Sequence, residues 1–528
     1  MTHARLLESM SRPEFYPHWP KTVEVIQTHI SFIFIAGDVV YKVKKSVDFG
    51  FLDFTSLEKR KHHCNEEVRL NRRLAPDTYL DVAAIREGAD GRLSLEAEGR
   101  IVEYAVRMKR LPQERMLKKL LASGEADLYV MERIASRIAE FHRRAATGGE
   151  IDRIGGVETI QRNHEENFEQ TAAYAGVTLP ECQYRFIRAY SLKFIEERRG
   201  LLEKRVAEHK IRDCHGDLHM EHIVVADGIQ IFDCIEFNQR FRFEDVAAEV
   251  AFLAMDLDYN GYSEYAERFV DAYIRESGDP EIRTLLNFYK CYYAYVRGKV
   301  ISFRTSDRAI QKEDRDEAVR IAASYFDLAY TCAARLEKPA LILVAGLMGA
   351  GKSVLARHMA PRLGAEIIRM DVLRKELQRL SPGERRHEDF GRGIYAEGIS
   401  EKTYEKALEQ AEMKLRKGKS VIIDASFKRR RDREKARALA GQCLADFFVV
   451  ECVCPESVIR KRLEERLADR TEASDGRWEI FEAQKNDYDK ITESEGPSHL
   501  IADTSVPPEA GAQAVMSRIR GLDFRSFL

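Results

Sequence analysis

The chain lacks any pair of cysteines at metal-binding or redox spacing: its nine cysteines are scattered, with no CxxC. That argues against a disulfide framework or a structural zinc site, and for reduced thiols in a cytoplasmic protein. It also lacks an excess of either charge, since 85 Lys and Arg stand against 87 Asp and Glu, a net −2. A general nucleic-acid binder needs a positive field, which this balance supplies only if a local groove does. No apolar run approaches the roughly 20 residues that cross a bilayer, so no membrane association is expected. The first residues, MTHARLLESMSRPEFYP, have no apolar stretch of the signal-peptide kind. There is no internal repeat and no low-complexity tract. What is present is 528 residues, 44% hydrophobic and 33% charged, enough to bury real cores. At roughly 150 residues per domain, length alone implies about two to four domains.

The patterning changes along the chain. Ile30–Lys45 reads as two strands joined at Gly37-Asp38, Lys61–Leu74 as a helix, and Arg100–Lys109 as a further strand. Helical periodicity then dominates, at Met131–Ala146 and in the aromatic-rich Thr284–Phe303, whose Phe288, Tyr289, Tyr292, Tyr293 and Tyr295 suit a core. A second organisation begins after Pro339. Ala340–Ala345 (ALILVA) is a continuous apolar run suited to a buried parallel strand, and similar runs at Glu366–Met370, Ser420–Asp424 and Phe447–Cys452 alternate with helical stretches. Strands alternating with helices imply a parallel sheet covered by helices.

The strongest motif opens that second part. Gly346-Leu-Met-Gly349-Ala350-Gly351-Lys352-Ser353 fits G-x-x-x-x-G-K-[ST], followed by Val354 at the start of a helix. Glycines let the backbone turn its N–H groups towards phosphates, and the helix start adds its positive dipole end. Lys352 can reach the β/γ-phosphates, and the Ser353 hydroxyl can ligate Mg²⁺. Asp371, after the run EIIRM, is a candidate base for an acceptor hydroxyl, with Arg374 one helical turn on to hold the acceptor. Capping of the helix VLRKEL is the competing role for Asp371. Asp424 ends the run VIID and is the candidate carboxylate for Mg²⁺. In ESVIRKRLEERLADR, Arg462, Arg466 and Arg470 share a helix face that can close over a phosphoryl group, while Glu464 and Glu465 favour a solvated, ion-paired face. The run Lys428–Arg431 with Arg433 carries the same two readings.

The first part holds a different constellation. Cys214-His215-Gly216-Asp217-Leu218-His219-Met220-Glu221-His222 precedes a short apolar hairpin that ends at Ile231-Phe232-Asp233. One carboxylate on a loop and a second after a hairpin suit phosphoryl transfer, one to activate an acceptor and one to hold a metal. Two other readings compete: a zinc site from His215, His219, His222 and Asp217, and a loop merely braced by His215 and Asp217. Asp245 and Glu249 read as braces for this loop.

Residues 340–505 resemble the small P-loop kinases related to polynucleotide kinase and the zeta toxins, a group often filed as AAA-type ATPases. The resemblance rests on the phosphate loop, the D-x-x-R at Asp371–Arg374, the D-A-S-F at Asp424–Phe427 and the arginine helix. It implies ATP-dependent phosphorylation of a hydroxyl, with an RNA 5′ end as one candidate acceptor. Residues 20–335 resemble the aminoglycoside phosphotransferases and choline kinases, with their H-G-D-x-H-x-x-N loop. By that match Asp217 is the base, Asp233 the metal-binding aspartate, Lys42 the phosphate-binding lysine and Glu66 its helix partner. Lys44 and Glu67 lie one offset away from the last two. Glu103–Lys109 falls where the adenine-contacting hinge is expected. The position of the family's metal-binding Asn is taken by His222, an imidazole that suits Mn²⁺ or Zn²⁺ better than Mg²⁺. Glu236, in Asp233-Cys-Ile-Glu236, is expected at the surface.

The combination resembles a bacterial fusion family described as bifunctional aminoglycoside phosphotransferase/ATP-binding proteins. It implies an α+β protein-kinase-like fold over 1–335 (small lobe about 20–110, helical lobe about 111–335) and an α/β P-loop kinase fold with a parallel sheet over 340–528. The expected function is a cytoplasmic phosphotransferase using ATP and Mg²⁺ on small-molecule hydroxyls. The alternative is a P-loop kinase regulated by a catalytically weak, nucleotide-sensing N-terminal half.

Overall fold

The computed structural model describes residues 3–96, 98–306, 310–381, 391–468, 476–491 and 498–522, with backbone alone for 466–468. They form two compact units, residues 1–172 with 194–300, and residues 173–193 with 301–528.

The first unit starts with a six-stranded antiparallel sheet. Its strands are β1 (Val23–Gln27), β2 (Ser31–Ala36), β3 (Val39–Lys44), β4 (Tyr79–Glu87), β5 (Leu93–Ser94) and β6 (Arg100–Lys109), in the order β1-β2-β3-β6-β4-β5. Gly37, at φ +64°, makes the turn between β2 and β3 that a side-chain-bearing residue resists. Side chains alternate across a strand. Tyr41 and Val43 therefore join Phe32 and Phe34 in one core, which puts Lys42 and Lys44 together on the other face. Glu103–Lys109 is strand throughout; the strand ends at Lys109 and the chain continues through a short 3-10 turn, Gln113–Arg115.

The helix Leu57–Asn71 follows β3, with the Ser56 hydroxyl accepting from the Lys59 N–H at its start. Its buried stripe contains Cys64, Glu67, Val68 and Asn71, spaced by three and four residues. The rest of the unit is mainly helical. Short pairs interrupt it: β7 (Ile211–Asp213) with β10 (Phe243–Asp245), and β8 (Ile223–Val225) with β9 (Ile229–Ile231). Of the aromatic stripe, Phe288, Tyr289, Tyr293 and Tyr295 are buried and Tyr292 is half-buried. Phe288 stacks on Phe194 at 4.3 Å and Tyr293 on Phe252 at 4.1 Å.

The second unit is built on a five-stranded parallel sheet, as the apolar runs imply. Its strands are β11 (Ala340–Ala345), β12 (Ala365–Arg369), β13 (Ser420–Asp424), β14 (Asp446–Val453) and β15 (His499–Asp503), in the order β12-β13-β11-β14-β15. Every residue of β11 is buried, which explains its unbroken apolar sequence. Packing groups residues 301–335 with this unit, and the sheet itself begins just past Pro339. Because all strands run the same way, β11, β12 and β13 deliver the glycine loop, Asp371 and Asp424 to the same carboxyl end of the sheet, where ligands of such sheets bind.

Candidate functional sites

In the second unit the chain leaves β11 into Gly346–Gly351, then enters the helix Lys352–Leu363. Gly346, Gly349 and Gly351 have φ of +132°, +74° and +83°. A Cβ on Gly346 would lie 2.7 Å from the Cys452 carbonyl oxygen, so a side chain there is excluded twice over. The Ala350 carbonyl accepts from Thr504 Oγ1 at 2.8 Å, and Lys352 Nζ folds back to donate to the Leu347 carbonyl at 2.8 Å. Val354 lies in the first turn of the helix.

Asp424 is buried at the end of β13. Burial raises its pKa, while the Lys352 charge and a hydrogen bond from Ser353 oppose the rise. Ser353 hydroxyl and Asp424 carboxylate thus offer adjacent hard oxygens, a donor set that fits Mg²⁺. Asp371 sits half-buried in the first turn of the helix Met370–Leu377 and makes no cap there; Arg374 Nη1 is 3.3 Å from its Oδ1. The Arg374 guanidinium lies 4.8 Å over the Tyr395 ring.

Of the arginine helix, Glu456–Ala468, Arg462 donates to the Thr504 carbonyl at 2.6 Å and comes within 3.1 Å of a Cβ built on Gly351. Arg460 pairs with Glu464 at 3.0 Å, the solvated reading. The Arg466 side chain and Arg470 lie outside the described residues. In the other basic run, Lys428 and Arg429 are paired with Asp487 at 2.7 and 2.6 Å, and Arg433 is buried and donates to the Phe427 carbonyl.

In the first unit the loop from His215 to His222 hangs on the helix Val246–Tyr259. Glu249 Oε1 accepts from the N–H groups of His215 and Gly216 at 2.7 and 2.8 Å, and its Oε2 meets His142 Nε2 at 2.6 Å. Asp256 accepts from the Met220 N–H at 2.9 Å. Asp245 caps the same helix, accepting from the Ala247 N–H at 2.8 Å. Gly216 has φ +82°, and a Cβ there would meet the Phe241 carbonyl oxygen at 2.7 Å.

Asp217 faces two histidines, with His219 Nε2 at 3.7 Å and His222 Nδ1 at 3.5 Å from its Oδ2. Burial works to raise its pKa, but His219, by its charge and its hydrogen bond, outweighs burial with help from Arg297 and holds it below the usual carboxylate range. His215, buried, is pushed down to about 4 and stays neutral near neutral pH. His222 Nδ1 lies 2.9 Å from the Asp217 carbonyl oxygen, an acceptor only, so that nitrogen carries the proton. Its Nε2 is left bare and lies 3.6 Å from Asp233 Oδ2. Burial, then the neighbouring His219, lowers the His222 pKa and keeps that nitrogen free. An imidazole nitrogen beside a carboxylate fits Mn²⁺ or Zn²⁺ better than Mg²⁺. Asp217, His219 and His222 also place ligand atoms within 4.8 Å of one another, whereas His215 is not of that group.

Asp233 occupies the left-handed region at φ +64°, a strained position for a residue with a side chain. Its N–H donates to Tyr79 Oη at 3.1 Å, and the next N–H, of Cys234, to Asn71 Oδ1 at 2.8 Å. Lys42 Nζ contacts Asp233 Oδ1 at 2.5 Å and Glu67 Oε1 at 2.9 Å. Two expectations are corrected. The helix partner of Lys42 is Glu67; Glu66 instead pairs with Arg69 at 2.6 Å. Adjacent helix residues point about 100° apart, and the buried stripe takes Glu67. Glu236 is not at the surface: it is 9% exposed and paired with Lys44. Breaking a buried ion pair typically costs about 3–5 kcal/mol, whereas an exposed one contributes at most about 1 kcal/mol. Glu67→Gln is therefore expected to lower the unfolding midpoint in a denaturant titration markedly, with Glu66→Gln close to the parent; the reverse order would restore Glu66 to the site.

Comparison with known proteins fits this division. The phosphotransferase enzyme family matches residues 48–285, and an AAA domain family matches residues 341–491. An uncharacterized protein of Mycobacterium tuberculosis is 30% identical over 468 residues, covering 88% of this chain and 91% of its own. An uncharacterized protein of Mycobacterium bovis matches to the same extent, 30% over 468 residues. The chain belongs to their family. It pairs a phosphotransferase-family segment with a P-loop segment of the AAA type, and it is an enzyme of the kinase/phosphotransferase class. Similar solved structures include aminoglycoside 2′-phosphotransferase-IIIa in its GDP complex (13% identity, 62% of this chain and 99% of that one, TM-score 0.38). A choline/ethanolamine kinase family protein from Mesorhizobium loti is 12% identical over 62% of this chain and 99% of its own, with TM-score 0.37. A gluconokinase from Sinorhizobium meliloti is 17% identical over 35% of this chain and 94% of its own, with TM-score 0.26.

Several residues that shape these family sites had no signal in the sequence. Tyr79 and Asn71 reach the Asp233 turn and Asp256 the His215–His222 loop from strands and helices distant in the chain, and Thr504 reaches the glycine loop from just beyond β15.

Proposed function

We propose that each unit binds ATP with a divalent cation and transfers the γ-phosphoryl group to a hydroxyl of a small-molecule acceptor in the cytoplasm. At the P-loop site, the N–H groups of Gly346–Val354 and Lys352 hold the phosphates. Ser353 and Asp424 hold Mg²⁺, Asp371 takes the acceptor proton, and Arg374 orients the acceptor. At the other site Lys42, steadied by Glu67, holds phosphates, Asp233 and His222 hold Mn²⁺ in preference to Mg²⁺, and Asp217 takes the acceptor proton. The cation, when bound, neutralises phosphate charge. The protein's own part is to place a lysine, a cation-binding carboxylate and a base around one hydroxyl.

The observation that carries this reading is the way His222 joins the two acids of the N-terminal site. One nitrogen is fixed on the Asp217 main-chain carbonyl, 3.5 Å from that residue's carboxylate, and the other is left bare towards Asp233. That geometry keeps base and cation position side by side without an amide ligand. The same histidines favour a second reading, in which His219 and His222 crowd the base and the N-terminal site senses nucleotide without transfer, regulating the P-loop site.

The test is label transfer from γ-labelled ATP into a metabolite extract and onto a 5′-hydroxyl oligoribonucleotide. Label is expected in small molecules and absent with the Asp217→Asn/Lys352→Ala double variant. Label on the oligonucleotide alone would move the P-loop acceptor to RNA ends, and none anywhere would end the proposal.

A further inference from the structure

Two charged side chains buried at the N-terminal site take no part in that reading, Lys44 and Glu236, 2% and 9% exposed. Burying ions carries a desolvation penalty that only close pairing offsets, and the pairing here is close. Lys44 Nζ is 2.6 Å from Glu67 Oε2 and also donates to Glu236 Oε1. Glu67 thus holds a lysine on each oxygen, Lys42 on Oε1 at 2.9 Å and Lys44 on Oε2. The two lysines differ in their other partner. Lys42 reaches Asp233, and Lys44 reaches Glu236, three residues along the same turn.

That turn is the strained one, with Asp233 at φ +64°. Its backbone is tied at Asp233, Cys234 and Ile235, to Tyr79, Asn71 and the His215 carbonyl. Glu236 is the next residue, and its tie runs through a side chain to the same glutamate that steadies Lys42. When Lys42 engages phosphates and Asp233 engages a cation, their mutual contact loosens. Lys44 and Glu236 touch neither ligand in the reading above, so their contact persists.

We propose that Lys44 and Glu236 are positioning residues: a buried pair that keeps Glu67 and the Asp233 turn in register, so that Asp233 holds its cation-binding aim once Lys42 is drawn to the nucleotide. The inference rests on Lys42 and Asp233 being the phosphate and cation positions. With one lysine in this place, drawing it to phosphate would leave the turn only its backbone ties and no side-chain tie to Glu67. This chain divides the two tasks between lysines two residues apart on one strand face.

The experiment uses the full chain carrying Lys352→Ala, so that the N-terminal site dominates, and titrates a fluorescent ATP analogue with and without Mn²⁺. Lys44→Met, and the paired Lys44→Met/Glu236→Leu, are expected to lose about tenfold or more of the cation-assisted affinity, as loss of a ligand's outer partner does. Affinity without cation should fall far less, since Lys42 keeps its own contact with Glu67. The paired variant replaces both ions by apolar groups, a change that buried pairs commonly tolerate, so it separates aim from folding. A folded paired variant with the parent's cation dependence overturns the proposal, and so does a paired variant that fails to fold, because the pair is then a packing element. Absence of any nucleotide binding in the Lys352→Ala parent overturns the underlying reading instead.

Discussion

Replacing Lys352 by alanine is expected to cut ATP turnover at the P-loop site by about two to three orders of magnitude, the usual loss when one preorganised charge is removed from a phosphoryl-transfer site. The Lys352 side chain lies within the phosphate loop itself. Its ammonium rests on the carbonyl of Leu347 in its own loop and its charge is felt at Asp424. Loss of the amine leaves the glycine turns and the helix start intact, so the fold should survive. A steady-state assay separates the effects: KM for ATP rises steeply because Lys352 holds the phosphates, and kcat falls because the same charge acts on the transferring group. An exposed control, Arg416→Ala, removes only an ion pair with Glu412 at 2.7 Å and should leave turnover alone. If Lys352→Ala turns over ATP and transfers phosphate like the parent, the assignment of the loop fails.

The second large effect is expected at Asp217. Changing it to asparagine keeps the size and the hydrogen-bonding capacity but removes the proton acceptor. A general base contributes about 10²–10⁴-fold, and phosphotransfer from the N-terminal site should fall by that order while nucleotide affinity is kept. The surrounding charges sharpen the expectation. His219 and Arg297 hold the Asp217 carboxyl low, so it is ionised across the neutral range. The acid limb of the rate profile should therefore not reflect this group above the ordinary carboxylate range. An unchanged rate in Asp217→Asn, with the Lys352→Ala background silencing the other site, contradicts the role. No transfer in the parent, with nucleotide still bound, supports the sensing alternative.

Legibility in the sequence followed burial pattern. The continuous apolar run of β11 was readable because every residue of that strand is covered on both sides. β15 was not, because its edge position leaves His499–Asp503 alternating between cover and solvent, with Ile501 53% exposed. The glycine loop was readable because its chemistry is local: eight consecutive residues hold the whole cradle. The partner of Lys42 was not, because one residue along a helix is a large change of direction, and Glu66 and Glu67 are chemically identical. What decides between them is the facing of the stripe containing Cys64, Val68 and Asn71, a mixed set that reads weakly as an apolar face. Glu236 was misjudged for a related reason. An acid in a short loop belongs at the surface unless a buried cation meets it, and Lys44 comes from a strand nearly two hundred residues earlier, |i−j| = 192.

The claim beneath all of this is that one chain carries two separate triphosphate sites. Equilibrium titration of the intact protein with a non-hydrolysable ATP analogue and a divalent cation measures it directly. Two analogues bound per chain are expected, falling to one in Lys352→Ala and to one in Lys42→Met. A single analogue per chain, unaffected by Lys42→Met, would contradict the account.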